Sequence, residues 1–308
     1  MESLEAAFDQ DRALVFGIGG GGDVVGAVPT ARLLEAHGVE TILGGVAWEP
    51  APADPTVGPT GFEDMAGIER VSDTVAWASP ETRTSDGTRF AEAGVAEVVD
   101  ERPLIVDLTA GLDGMVDGLE AACDVLDVDL VVGTDSGGDA LARGDEAGLR
   151  SPVTDALGLA TLADLARPTM LGVFGYGSDG ELTRGELEAG LARAAERDGL
   201  LGAWGLTPTV ADELDALLEV VRTEASRLPV EAFRGGLGER SIRRGAVTVD
   251  LVPPAAVTFY FDPPAVIATS DTVPLVREAR DLHAIEEAFA AAGLVTEFTL
   301  ERERLSEG

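Results

Sequence analysis

The chain has 308 residues, of which 45% are hydrophobic, so it can bury a large core as one large domain or two small ones. Its formal net charge is −34, and all 22 of its lysine-or-arginine positions are arginine. The absence of lysine excludes a lysine-containing P-loop and Schiff-base catalysis, and the absence of a basic stripe argues against nucleic acid as a partner.

The 56 acidic residues are spread over the whole length of the chain. This distribution is typical of a halophilic protein, because concentrated salt screens self-repulsion while a hydrated acidic surface maintains solubility. The alternative, an acidic interaction tail, would concentrate the acidic residues at one end. With no signal peptide and no apolar run of about 20 residues, the sequence predicts a soluble cytoplasmic protein without a membrane partner.

The first predicted unit is a strand, a glycine turn and a helix. An apolar run at 13–16 precedes the sequence Gly-Ile-Gly-Gly-Gly-Gly-Asp at 17–23, and an amphipathic stretch follows at 24–37. Glycine reaches positive φ easily and has no Cβ, so backbone N–H groups can face a ligand where the helix begins. The predicted ligand-binding residues of this turn are Gly19, Gly20, Gly21, Gly22 and Asp23.

The same turn matches the dinucleotide pattern G-x-G-x-x-G, so a nucleotide is a candidate cofactor. Two observations count against a nicotinamide dinucleotide. The end of the second predicted strand, at 43–46, carries no acidic residue for the ribose, and Glu49 comes late. Asp23 would also repel a pyrophosphate unless a cation lay between them; the alternative role for Asp23 is a helix N-cap.

Strand-like apolar runs alternate with helical stretches, which predicts βαβ units and a parallel sheet. Several runs are continuously apolar, as expected for strands covered by helices on both faces. The predicted strands are 13–18, 41–48, 104–108, 129–134 and 170–176. The predicted helices are 24–37, about 88–99, 114–127, 153–166, 183–198 and 210–227. A loop with four prolines, at 50–60, is expected near the ligand edge.

The composition of the sequence changes after Pro229. A loop rich in glycine and arginine is predicted at 230–246. It is followed by 247–252 and 257–261, predicted as an antiparallel edge hairpin or a strand pair on the main sheet. A helix at 273–292 and a last strand at 295–300 complete the prediction. The fold class is therefore a Rossmann-like, doubly wound α/β fold in one domain, with main repeats in 1–228 and an antiparallel extension in 229–308.

A second glycine turn, Gly-Thr-Asp-Ser-Gly-Gly-Asp at 133–139, follows the fourth predicted strand. Its glycines Gly137 and Gly138 are predicted to bind an anion, and Asp135 and Asp139 are the candidate catalytic residues. Four carboxylates near the end of this strand could hold Mg²⁺ through oxygen ligands. The predicted ligands are Asp135, Asp139, Asp145 and Glu146. In the alternative interpretation, Asp139 and Asp145 cap turns and Glu146 is solvated. Asp155 is assigned to the first turn of the next helix, where acidic residues suit the helix dipole.

Two further turns have the same composition, at 108–114 with Gly111 and at 175–181 with Gly177. In a parallel sheet all four turns lie at the carboxyl ends of the strands, where ligands bind, although each could be a simple connection. The loop after Pro229 adds arginines that recognise phosphate or carboxylate. Arg240 and Arg243 are the candidates for this role, with pairing to surface acids such as Glu231 as the alternative.

Side chains that bind metals through nitrogen or sulfur are scarce. The two histidines, His37 and His283, nearly exclude a multi-histidine metal site, and His37 stands at a predicted helix end, where imidazoles cap carbonyl groups. The single cysteine, Cys123, cannot form an internal disulfide. It is expected to be a small core residue, with a thiol nucleophile as the alternative.

Several of these sequences resemble an uncharacterised, mainly archaeal family known as domain of unknown function 1152. The resemblance lies in Gly-Ile-Gly-Gly-Gly-Gly-Asp at 17–23, Gly-Gly-Asp-Ala-Leu-Ala-Arg-Gly-Asp-Glu at 137–146, Ser151-Pro152 with Asp155, and Gly-Tyr-Gly-Ser-Asp-Gly-Glu at 175–181. It extends over nearly the whole chain and implies a single Rossmann-like α/β unit. It implies no activity and no catalytic residues.

Three functions are compatible with these observations. The first is a Mg²⁺-assisted enzyme that acts on a small anionic metabolite, either phosphorylated or nucleotide-like. The second is a non-catalytic ligand sensor or assembly component that uses the same edge of the sheet, and a homo-oligomer is compatible with it. The third, a nicotinamide oxidoreductase, has only the glycine pattern in its favour.

Overall fold

The computed structural model describes residues 1–50 and 53–306. The strands are β1 (Arg12–Gly17), β2 (Glu40–Val46), β3 (Met65–Ala66), β4 (Glu69–Arg70), β5 (Val75–Trp77), β6 (Arg83–Thr84), β7 (Leu104–Val106), β8 (Leu130–Ser136), β9 (Thr169–Phe174), β10 (Leu200–Gly205), β11 (Gly238–Ile242), β12 (Val247–Leu251) and β13 (Val257–Phe261). The α-helices are α1 (Asp23–Ala36), α2 (Ala91–Val98), α3 (Gly111–Leu126), α4 (Pro152–Asp164), α5 (Arg184–Ala195), α6 (Pro208–Leu218), α7 (Glu224–Phe233), α8 (Pro263–Ile267), α9 (Val273–Glu278), α10 (Leu282–Ala291) and α11 (Glu297–Ser306).

Nine of the strands form one sheet in the order β10-β13-β9-β8-β1-β2-β7-β5-β4. The five central strands, from β9 to β7, are parallel. In this register Val15 of β1 lies opposite Leu43 on one side and Val132 on the other. Antiparallel strands complete both edges, with β13 and β10 beyond β9, and β5 and β4 beyond β7. This arrangement confirms the predicted α/β fold with a mostly parallel sheet and antiparallel strands.

Helices cover both faces of the sheet, which explains why its central strands are continuously apolar. Along β1, Leu14 and Phe16 face one layer of the core, which includes residues of α3, α4 and α10. Ala13 and Val15 face the other layer, which includes residues of α1 and α6. Because both faces are buried, neither set of alternating side chains is polar.

The C-terminal region differs from the prediction. The stretch 295–300, predicted as a last strand, instead enters helix α11, where Phe298 and Glu301 lie three residues apart on the buried face. Thr296 accepts a hydrogen bond from the N–H of Thr299, as a helix-capping side chain does. Alternating Val, Thr and Phe residues suggested a strand, but this cap and the carboxylate contacts described below favour the helix.

Other boundaries also change. The predicted helix 210–227 divides into α6 and α7, and 273–292 divides into α9 and α10. The predicted loop 230–246 contains the end of α7 and strand β11, which pairs with β12 in a separate two-stranded sheet. Of the predicted strand pair, only β13 joins the main sheet, between β9 and β10. In the part of the chain that the structure describes, no helix is long and apolar enough to cross a bilayer.

Candidate functional site

A cavity of about 940 Å³ lies at the carboxyl ends of the central strands. Strand β1 pairs with β2 on one side and β8 on the other, so the order of the parallel strands reverses between β1 and β8. Such a reversal opens a crevice in which α/β proteins bind ligands. The turns after β1, β8 and β9 all contribute residues to the cavity lining, as their shared edge predicts.

The glycine turn after β1 forms one wall. A Cβ on Gly22 would lie 2.2 Å from Cβ of Thr223, so only glycine fits this close approach. Gly22 is the N-cap of α1, and Asp23 is its first helical residue. The carboxylate of Asp23 folds back to accept the N–H of Gly19 at 3.1 Å. The N-cap interpretation of Asp23 is therefore wrong. The N–H of Gly19, one of the backbone donors of the turn, already bonds to Asp23 and does not face a ligand.

Three aspartates meet at the centre of the cavity. Asp135 lies near the end of β8, Asp139 begins the following 3-10 turn (Asp139–Leu141), and Asp155 lies in the first turn of α4. One carboxylate oxygen from each lies within 4.8 Å of the other two. Their exposed fractions are 2%, 6% and 4%, respectively. Asp155 occupies the helical position predicted for it, but its side chain joins the cluster instead of serving only the helix dipole.

A second carboxylate group shares Asp139 with the first. It consists of Asp139, Asp179 and Glu181, again with one oxygen from each within 4.8 Å of the others. Asp179 and Glu181 follow β9 and are 8% and 5% exposed. The end of β8, the turns after β8 and β9, and α4 thus bring five buried carboxylates into one cavity.

The hydrogen bonds of these carboxylates are unevenly distributed. Asp135 Oδ2 accepts the N–H of Ala140 at 3.3 Å, and Asp139 Oδ2 accepts the hydroxyl of Ser151 at 2.8 Å. In contrast, neither carboxylate oxygen of Asp155 or Asp179 has a hydrogen-bond partner among residues 1–50 and 53–306. Buried polar groups without partners are rare in proteins and call for an explanation.

Burial dominates the electrostatics of the cluster. Burial, followed by the charge of Asp139, raises the pKa of Asp135, Asp155 and Asp179 well above the usual aspartate range. The same two causes raise the pKa of Glu181 to about 7 and that of Asp23 to about 8. Without a bound cation, the cluster therefore retains protons that isolated carboxyl groups would lose, because packed negative charges are costly.

Arg243 provides positive charge in direct contact with the cluster. Its Nη2 donates to Glu181 Oε1 at 2.6 Å, and its side chain also lines the cavity. Arg243 and Arg244 both adopt positive φ, at 51° and 57°. Consecutive non-glycine residues in this region are strained, and such strain is concentrated at functional sites. Arg240, by contrast, pairs with Glu231 through Nε at 2.9 Å, as the alternative interpretation proposed.

The structure brings together only part of the predicted site. The predicted residues that line the cavity are Gly19, Gly20, Gly21, Gly22, Asp23, Asp135, Asp139 and Arg243. Those outside the described lining are Gly111, Gly137, Gly138, Asp145, Glu146, Gly177 and Arg240. Pro50, from the predicted proline-rich loop, also lines the cavity, whereas residues 51 and 52 of that loop lie outside the described residues.

The excluded residues have local roles. Asp145 is exposed, and Glu146 accepts the N–H groups of Arg143 and Gly144, closing its own turn. Gly111 begins α3, and its nearest neighbours belong to the junction between α9 and α10. The N–H of Gly177 donates to the carbonyl of Gly137 at 2.7 Å, which joins the turns after β8 and β9.

Two glutamates of α11 also belong to the site, although 295–300 was predicted as a strand. Glu297 Oε1 accepts the N–H groups of Val153 and Thr154, at 3.0 and 2.9 Å, and so caps α4. Burial raises the pKa of Glu297 to about 7, against the lowering effect of these hydrogen bonds. Glu301 accepts the indole N–H of Trp48 at 2.9 Å. Helix α11 therefore closes one side of the cavity.

The comparison with known families identifies the family of the chain and assigns no activity. The family described as a protein of unknown function (DUF1152) matches residues 14–305, so the chain belongs to this family. Neither a curated protein nor a solved structure matches the chain.

Proposed function

We propose that the cavity binds a divalent cation between Asp135, Asp139 and Asp155 and uses it to act on a small phosphorylated or nucleotide-like metabolite. Because membership of an uncharacterised family assigns no activity, the proposal depends on the chemistry of the site. The observation that carries it is Asp155, whose buried carboxylate has neither a donor nor a counter-ion in direct contact among the described residues.

A bound cation explains the three buried aspartates better than a role in stabilising the fold does. An ionised carboxylate without a partner is costly to bury, and two like-charged neighbours increase the cost. A divalent cation removes both costs, because Mg²⁺ prefers carboxylate oxygens and is the largest local charge in such a site. The two partly satisfied aspartates, Asp135 and Asp139, keep lone pairs for a ligand, since the N–H of Ala140 donates to the first and the hydroxyl of Ser151 to the second.

The cavity also suits a small anionic substrate. Its volume of about 940 Å³ falls within the range of about 300–1,000 Å³ that is typical of small-molecule sites. Carboxylates repel an anion unless a cation lies between them and the ligand. Arginines form the other source of positive charge, and their planar groups recognise phosphate through paired hydrogen bonds. Those that line the cavity include Arg150, Arg222, Arg243 and Arg244.

The residues of this chain would then hold and orient the substrate. A bound divalent cation supplies Lewis-acid chemistry, because it polarises a phosphoryl oxygen or lowers the pKa of a bound water. Asp135 and Asp139, on the rigid end of β8 and the turn after it, fix the position of the reacting group. A nicotinamide dinucleotide is disfavoured, because Asp23 accepts the Gly19 N–H that a pyrophosphate would need.

Isothermal titration in molar sodium chloride tests the proposal. Mn²⁺ or Mg²⁺ should bind the wild-type chain, and ATP or a sugar phosphate should bind only in its presence. Asp155→Asn should lose cation binding, whereas Asp73→Asn, at an exposed turn position, should keep it. The proposal fails if no cation binds the wild-type chain. If a phosphorylated ligand binds but ³¹P NMR shows it unchanged after long incubation, the protein is a sensor and not an enzyme.

A further inference from the structure

Asp179 has no role in the cation site just described, yet it is the most clearly unsatisfied carboxylate beside it. Its side chain is 8% exposed and lines the cavity, and both of its oxygens are without a hydrogen-bond partner in the described part of the chain. The charge of Arg243 lowers its pKa, but burial and the charge of Asp139 raise the pKa by more. Among the described residues, Arg243 and the backbone of Glu181 lower the pKa of Asp179 only in part, so burial leaves its carboxylate largely uncompensated.

The backbone around Asp179 is built to hold this carboxylate in place. A Cβ on Gly137 would lie 2.3 Å from Cγ of Asp179, so the absence of a side chain at Gly137 makes room for the carboxylate. The preceding residue, Ser178, donates its hydroxyl to the carbonyl of Ala225 at 2.6 Å and fixes the turn from the other side. Asp179 is therefore placed in the cavity by tight packing and is not a loosely tethered surface group.

The charges of the two carboxylate groups and Arg243, counted without Asp23, Arg150, Arg222 and Arg244, which also line the cavity, are compatible with a second cation. The five carboxylates of the two groups carry five negative charges when all are ionised. Arg243, which contacts Glu181, and one divalent cation together offset three of them. A second divalent cation offsets the remaining two, and the second group supplies oxygens for it in the same arrangement as the first.

We propose that the cavity holds two divalent cations, the second among Asp139, Asp179 and Glu181, with Asp139 bridging the pair. This inference rests on the proposed function, since it presupposes the first cation. Two-metal sites with cations about 3.5–4 Å apart hold both oxygens of an in-line displacement at phosphorus. The ligand class is therefore a phosphate ester or anhydride whose phosphoryl oxygens bind both cations, with Arg243 beside the second one.

Electron paramagnetic resonance of Mn²⁺ added to the full chain tests the inference. In molar sodium chloride, which screens weak binding to the acidic surface, the wild-type chain should bind two Mn²⁺ ions tightly. Their signal should be broadened by spin coupling, as expected for ions this close. Asp179→Asn should bind one uncoupled ion, Asp139→Asn should lose the coupled pair, and exposed Asp73→Asn should still bind two.

The outcomes separate the two proposals. One tightly bound Mn²⁺ in the wild-type chain, unchanged in Asp179→Asn, would refute the two-cation site and leave the proposed function standing. No bound Mn²⁺ in the wild-type chain would refute both. If Asp179→Asn does not fold, judged by circular dichroism, the wild-type stoichiometry and spin coupling still decide the question.

Discussion

Replacing Asp155 by asparagine should change how the stability of the cation-free protein depends on pH. Burial and the charge of Asp139 raise the pKa of Asp155 well above its ordinary value of 3.8. In the pH window above 3.8 and below the raised pKa, the folded chain therefore keeps a proton that the unfolded chain has lost. Stability consequently falls as pH rises through this window. Asparagine carries no such proton, so this contribution disappears in Asp155→Asn.

The size of the effect follows from linkage. One proton retained only by the folded state costs about 1.4 kcal/mol of unfolding free energy per pH unit. For a chain of 308 residues, the unfolding entropy of about 2.1 cal/mol/K per residue makes about 0.65 kcal/mol equivalent to one degree in Tm. The Tm of the wild-type chain should thus fall about 2 °C per pH unit more steeply than that of Asp155→Asn.

Scanning calorimetry in EDTA at pH 5, 6 and 7, with constant salt, measures the two slopes. Exposed Asp73→Asn serves as the control and should follow the wild-type slope. Adding Mg²⁺ at about 100 times its Kd should raise the wild-type stability by about 2.7 kcal/mol, or about 4 °C, and leave Asp155→Asn unchanged. Parallel slopes for wild type and Asp155→Asn in EDTA would refute the reasoning, since they would mean that Asp155 is ionised in the folded chain.

Three further predictions concern the walls of the cavity. Gly137→Ala should lose the second Mn²⁺ ion and about 1–3 kcal/mol of stability, because its Cβ would meet the carboxylate of Asp179. The control, Gly87→Ala, has φ 99° and no described atom within 4 Å of the added Cβ, so urea unfolding should show only the cost of positive φ. Arg243→Ala should weaken binding of a phosphorylated ligand at least tenfold by calorimetry, whereas equal binding by Arg243→Ala and Arg240→Ala would contradict its assignment. Glu297→Gln should be more stable than wild type at pH 8 by about 3 kcal/mol but equal to it below pH 4.5. The pKa of Glu297 is about 7 in the folded chain and 4.5 in the unfolded chain, so the wild type loses stability as pH rises from 4.5 to 7. Urea midpoints at pH 4 and 8 check this.

Much of the fold is predictable from local sequence because its central strands are buried on both faces. The apolar runs of β1 and β8 alternate with helical stretches, and this order is enough to predict a mostly parallel sheet. Helix caps are also predictable from local sequence when the residues that form them are close together in the chain. Thr183 and Glu186, three residues apart, form a capping box at the start of α5, and the ring of His37 bonds the carbonyl of Leu33 at the end of α1, as predicted.

Contacts between residues distant in sequence account for the rest. Arg240 and Arg243 lie three residues apart in the same arginine-rich stretch, yet Arg240 pairs with Glu231 and Arg243 with Glu181. In the same way, an acidic residue in the first turn of a helix has an ordinary explanation, so nothing local distinguishes Asp155 from a residue that serves the helix dipole. Its role depends on where the turn after β8 lies.

The stretch 295–300 was predicted as a strand because of its alternating Val, Thr and Phe residues, and the weak amphipathic character of α11 gives no signal for a helix. Only Phe298 and Glu301 are buried in it, and a buried glutamate does not register as part of an apolar stripe. Its stabilising contacts come from residues hundreds of positions earlier, such as the indole of Trp48. The pattern of apolar residues within 295–306 cannot predict contacts with such distant residues.

The position of α11 in the sequence affects the order in which the chain folds during synthesis. Residues 297–306 leave the ribosome after every other part of the cavity, yet they cap α4 and bind Trp48. Domains begin to fold while synthesis continues, so the sheet can assemble before this helix emerges. A nascent chain that lacks it would have an open pocket and an uncapped α4 beside Asp155. A ligand of the proposed class would therefore meet a complete cavity only after residues 297–306 have been synthesised.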